Sequence, residues 1–125
     1  MAKFAADAVM DGALAVIATA TIMGALSAQP SSYSDAFTTK MLSTVVMAGG
    51  DFANAQGDAG AGTRKVTIGP KSGVSVTNGG TATYVALGIS GSSTLLYYTT
   101  CTSQVLTSGN TMTFNAWKVE FGAPT

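Results

Sequence analysis

Apolar positions recur in two rhythms along this chain. Near the start, Phe4, Ala8, Val9, Ala13 and Leu14 fall close to helical spacing. That pattern predicts a short N-terminal helix within residues 1–14, weakened at its end by Gly12. From Ala15 to Met23 the β-branched residues Val16, Ile17, Thr19, Thr21 and Ile22 predict a strand. Pro30 forces Gln29 into extended geometry and marks a loop. Ser34-Asp35 supplies a helix start with an acid in the first turn, predicting a short helix from Asp35 to about Leu42. Ser43–Met47 then reads as a strand. Residues 48–63 are dominated by Gly, Ala, Asp and Asn, which predicts a long loop.

The rhythm in the second half has a period of two. Residues 64–121 predict an antiparallel β core, with Val66 and Ile68 on one face of its first strand. Val74 and Val76 follow, and Asn78-Gly79-Gly80 gives a hairpin signal, since Asn and Gly tolerate positive φ. Thr81–Ile89 aligns Val85, Leu87 and Ile89. Thr94–Cys101 places Leu95, Tyr97 and Cys101 on one face, with Leu96 and Tyr98 on the other. After the Ser108-Gly109-Asn110 turn, Thr111–Phe121 sets Trp117, Val119 and Phe121 against Met112, Phe114 and Ala116. Short strands separated by Gly, Asn and Ser turns predict a mainly β fold: an antiparallel β-sandwich or jelly-roll-like barrel with a short N-terminal helix, in a single domain over 1–125. The last two strands are apolar on both faces, so either they lie central and covered on both sides or one face is an intersubunit surface. Leu96, Tyr98, Met112 and Phe114 are therefore candidate intersubunit contacts.

Charge sharpens this picture. The 125 residues hold 6 Lys plus Arg and 6 Asp plus Glu, for a net charge of +0. A nucleic-acid binder needs a basic surplus, so none is expected as a partner. Charged residues are only 10 % of the chain, against roughly 25 % in an ordinary soluble domain. No charge occurs between Lys71 and Lys118. Free monomers normally keep charge on their surfaces and strand edges, so this half is expected to be covered by other subunits. The uncharged run from Gly12 to Ala28 is too short and too diluted by Ala, Thr and Gly for a membrane span. Asp7 and Asp11 stand where a signal peptide would be basic.

The side chains that carry chemistry are sparse. There is no histidine and one cysteine, which removes the commonest general base, any internal disulfide and a cysteine zinc site. No catalytic residue, metal ligand or cofactor is expected, and the chain is read as a non-enzyme. Gly57–Lys65 glances at a phosphate loop but lacks the Gly-Lys-Ser/Thr ending. Asp51 and Asp58 lack calcium-loop spacing. Asp51, Asp58, Arg64 and Lys65 are instead read as members of a loop ordered by a partner. Cys101 is expected to be a small buried hydrophobe. Trp117 is expected in the core, with a sugar-stacking platform including Tyr97, Tyr98 and Phe114 as the alternative.

Several segments in order give the chain a resemblance to a group of small virion structural proteins of tailed bacteriophages and prophages. They are Asp11-Gly12-Ala13-Leu14, Pro30-Ser31-Ser32-Tyr33-Ser34-Asp35-Ala36, Gly62-Thr63-Arg64-Lys65-Val66, Gly80-Thr81-Ala82-Thr83-Tyr84, Ser93-Thr94-Leu95-Leu96-Tyr97 and Val105-Leu106-Thr107-Ser108-Gly109-Asn110-Thr111 before the Trp117 strand. The chain departs from that group at Thr63, where Gly often precedes the Arg, and in lacking a Cys in the first strand. The resemblance implies location in the virion. A capsid cement or decoration protein, with the major capsid protein and copies of itself as partners, is the leading expectation. A tail or head-fibre adhesin binding host glycans is the alternative.

Overall fold

Met10, Leu14 and Ile17 are all buried, spaced four and three apart on one helical stripe. That stripe belongs to α1 (Asp7–Ile17), the first element of the computed structural model, which describes residues 7–58 and 63–121. Any part of the expected helix within residues 1–6 lies outside the described residues. The helix runs three residues past its expected end, so Ala15, Val16 and Ile17 are helical. The strand expected over 15–23 shrinks to β1 (Ile22–Leu26). Burial of Ile17 beside Leu14 outweighs the weak β preference of Val16 and Ile17.

The fold is mainly β and sandwich-like, with antiparallel sheets and one short N-terminal helix. β1 and β6 (Gly80–Ile89) lie at the centre of a four-stranded sheet ordered β2–β1–β6–β7, where β2 is Met41–Val46 and β7 is Thr94–Leu106. A three-stranded sheet is ordered β3–β4–β9, from Phe52–Gln56, Arg64–Ile68 and Trp117–Phe121. β5 (Lys71–Ser75) and β8 (Thr111–Phe114) form a two-stranded sheet. A bridge between Ser43 and Val76 ties β2 to the chain just after β5.

One core cluster joins all three sheets and the helix. Leu14 and Ile17 meet Met23, Leu42, Val66, Ile68, Val74, Leu87, Phe114 and Val119 within it. Leu14, Met23, Ile68 and Leu87 are fully buried; each contributes about 1.5–3 kcal/mol relative to exposure. The other face of the four-stranded sheet carries a second cluster: Leu26, Ala36, Phe37 and Ala86, flanked by Tyr33, Tyr84, Leu95 and Tyr98. Phe37 reaches that face because Gly24 and Gly88 leave a notch. A β-carbon built on Gly24 would lie 3.0 Å from the ring, and one on Gly88 2.9 Å from it.

The expected helix at Asp35–Leu42 is a π-helical turn, Asp35–Thr39, and β2 starts at Met41. Lys40 holds the turn closed. Its ammonium donates to the Asp35 carboxylate and, at 2.9 Å, to the Gln29 carbonyl. The expected loop over 48–63 contains a 3₁₀ turn at Gly49–Asp51 and the strand β3, paired with β4 from Phe52–Ile68 to Gln56–Arg64. Pairing with β4 makes a strand of a sequence with little β preference of its own; residues 59–62 lie outside the described residues. The β core thus begins well before residue 64. Asn78-Gly79-Gly80 joins no hairpin: β5 pairs with β8, while β6 pairs with β1 and β7, so the turn carries the chain between sheets. The single strand expected over 111–121 is two, β8 and β9, in different sheets.

Candidate functional site

Two irregularities in β7 decide where its side chains go. Leu87 pairs with Tyr97 and Gly88 with Leu95, so Leu96 is an extra residue on β7. A bulge of this kind resets the alternation of faces. Leu96 and Tyr97 therefore both pack on the main core, while Leu95 and Tyr98 join the second cluster. The expected grouping of Leu95 with Tyr97, and of Leu96 with Tyr98, does not form. Further on, Tyr84 pairs with Thr100 and Ala82 with Gln104. β7 spends four steps there where β6 spends two.

The four expected contact residues accordingly do not form one surface. Phe114 is 7 % exposed and belongs to the chain's own core. Leu96 and Met112 are partly buried against that core. Tyr98 stands on the other face, edge-on to Tyr84, and its hydroxyl accepts a 3.0 Å hydrogen bond from the Gln29 side chain.

Beside the second bulge lies a groove of about 400 Å³. Its apolar lining includes Leu106, Met112, Phe114 and Trp117; its polar lining includes Thr99, Thr100, Thr102 and Gln104. None of the lining residues is charged. The groove opens where sheets end: β7, β8 and β9 are each the last strand of their sheet. Trp117 packs against the core and stacks on Tyr97, with centroids 6.1 Å apart and an interplanar angle of 26°. It is partly buried, and its indole Nε1 is buried without a hydrogen-bond partner. An unmet buried donor costs about 1–3 kcal/mol. The expectation for Trp117 is met in its packing; the open groove above it was not legible. The side chain of Phe121 lies outside the described residues.

Cys101 lines the groove and is exposed, contrary to the expectation of burial. It sits in the bulged part of β7. Partial loss of water around the sulfur raises the thiol pKa, keeping it protonated and weakly nucleophilic at neutral pH.

The residues expected in a partner-ordered loop are held within the chain. The Arg64 guanidinium grips Asp11 of α1 through two hydrogen bonds of 2.9 and 3.1 Å. Asp58 accepts from Lys65 and Lys118, each at 2.6 Å, and Lys118 also donates to Glu120. Asp51 accepts from the Ala48 amide at 2.8 Å and pairs with Lys71 at 2.9 Å. The Lys118 hydrogen bond, then that of Lys65, lowers the Asp58 pKa to about 2. The Ala48 amide and then Lys71 lower that of Asp51. With Lys40–Asp35, every charged side chain from Asp11 to Glu120 has an intrachain partner.

Among the described residues, no three His, Cys, Asp or Glu side chains gather where they could hold a metal ion. No helix there is long and apolar enough to cross a membrane. Comparison with protein-family models, with curated proteins and with solved structures returned no match.

Proposed function

We propose that this chain is a non-enzymatic structural protein of a bacteriophage particle, a capsid cement or decoration protein that stabilises the icosahedral shell. Its partners on this reading are the major capsid protein and copies of itself. No cofactor, nucleic acid or membrane takes part. The observation that carries the reading is the uncharged stretch from Ser72 to Trp117, which holds two strands, β7 and β8, that are outermost in their sheets among the described residues and border an open groove. A protein that works alone guards such edges with charge or proline. One that works by being covered has no need of them, and small polar and apolar surfaces suit broad subunit contacts. Quantitative mass spectrometry of purified particles tests the reading. Hundreds of copies per particle are expected; a dozen or fewer would place the protein in a tail or neck instead.

A second reading is favoured by one observation, the unpartnered Trp117 indole N–H in a groove lined by Thr and Gln side chains. Such a groove suits a glycan, with the protein as a tail or head-fibre adhesin. Under that reading Trp117→Ala particles carry normal amounts of the protein and lose adsorption to host cells. Under the cement reading incorporation and protein stability fall together.

A further inference from the structure

We infer that two copies of the chain pair antiparallel along the free edge of β7, about a two-fold axis at Cys101. This deepens the self-association in the proposed function and rests on that part of it. β7 is 13 residues long, and among the described residues it pairs only with β6. Its outer edge carries none of the usual deterrents, since it contains no charge and no proline. The opposite end of the same sheet is partly engaged, because Ser43 of β2 bridges to Val76.

The sequence of β7 chooses the partner. Read outward from Cys101, it is symmetric at its centre, Thr100 against Thr102 and Thr99 against Ser103, and again at Leu96 against Leu106, while Tyr98 stands against Gln104 and Tyr97 against Val105. An antiparallel two-fold pair places those residues opposite one another, and Thr–Thr and Thr–Ser are favourable cross-strand pairs. Neither copy brings a charge to the contact, so no like-charge repulsion opposes it. The bulge between the Tyr84–Thr100 and Ala82–Gln104 pairs lies at the axis itself and bends the strand there, which keeps the new ladder short. It also leaves Cys101, Thr102 and Ser103 without a register partner on β6, and a second strand supplies one. A strand added there lies along the mouth of the groove and roofs the buried Trp117 indole N–H.

Thr100 and Thr102 are exposed, so substitutions there test the contact without disturbing the core. In this register each copy's residue 100 faces residue 102 of the other. Light scattering on the purified chain at about 100 µM, a concentration at which even modest affinity fills the dimer, is expected to show a dimer. Thr100→Lys with Thr102→Lys sets like charges face to face and should weaken the dimer at least about tenfold, equivalent to about 1.4 kcal/mol. Thr100→Lys with Thr102→Glu sets opposite charges face to face and should restore it. A short bismaleimide should join the copies through Cys101 in the wild type and the Lys/Glu variant, and fail in the Lys/Lys variant. Circular dichroism melting shows that each variant folds. A wild type that stays monomeric overturns the pairing, while the particle copy number separately decides the proposed function. A dimer indifferent to the Lys/Lys change, or one that never crosslinks although Cys101 reacts with a monofunctional maleimide under the same conditions, also overturns it.

Discussion

Gly88 and Gly12 show how differently one residue type is used in this chain. Gly88 lies under Phe37, and a methyl group there would also stand 2.9 Å from the Thr94 carbonyl of the neighbouring strand. The ring can turn aside; the backbone of β7 cannot without moving the hairpin. Gly88→Ala is expected to cost about 1–3 kcal/mol. Gly12 is exposed on α1 with nothing within 4 Å of a β-carbon, and Gly12→Ala should stabilise the protein by about 0.5–1 kcal/mol. Urea unfolding of the two variants checks both signs. Asp58 gives a pH signature. Its folded pKa of about 2 lies below the unfolded value of about 3.9. Its contribution is therefore complete above about pH 4 and lost as pH falls toward about 2. Between those limits the wild type should lose more stability than Asp58→Asn, read from urea midpoints across that range. The residue types of the groove were visible in the sequence, Trp117, Met112 and Phe114 among them. Their meeting was not, because it depends on two bulges that leave no composition signal.

At the scale of elements, the strands with alternating Val, Ile and Leu were legible. β4 falls at its expected place, and the Ser108-Gly109-Asn110 turn is real, with Gly109 at a φ of 88°. What failed to show was structure imposed from outside a segment. β3 reads Phe-Ala-Asn-Ala-Gln, which has little β preference, and becomes a strand because β4 offers a ladder. The same dependence on context hid the end of α1, where burial of Ile17 decides, and the break at Asn115-Ala116, which contains neither Gly nor Pro. Among the described residues β3 pairs on one side only, and its hairpin is closed by the Gly57 amide donating to the Thr63 carbonyl at 2.9 Å. Hydrogen exchange of the free protein should therefore protect alternate amides of Phe52–Gln56 while leaving the exposed Gly49–Gly50 fast. Uniformly fast exchange across 49–56 would mean that β3 forms only in an assembly.

For the whole molecule, the uncharged half and the paired charges are two sides of one distribution. The described charged side chains lie on α1, β4, β9, the start of β5 and the turns around residues 35–40 and 51–58, each beside an opposite partner. β6, β7 and β8 have none. Charges neutralised at close range inside one chain project little field beyond its surface, and a net charge of +0 adds none. Partners are then not drawn in from a distance. The partners proposed above would arrive by diffusion alone, at an unsteered rate of about 10⁵–10⁶ M⁻¹s⁻¹. Stopped-flow association of two copies should change by less than about twofold between low and high ionic strength, because screening has almost nothing to screen. On the proposed reading, assembly is thus governed by how many copies are present and how long each contact lasts, and hardly at all by the salt around them.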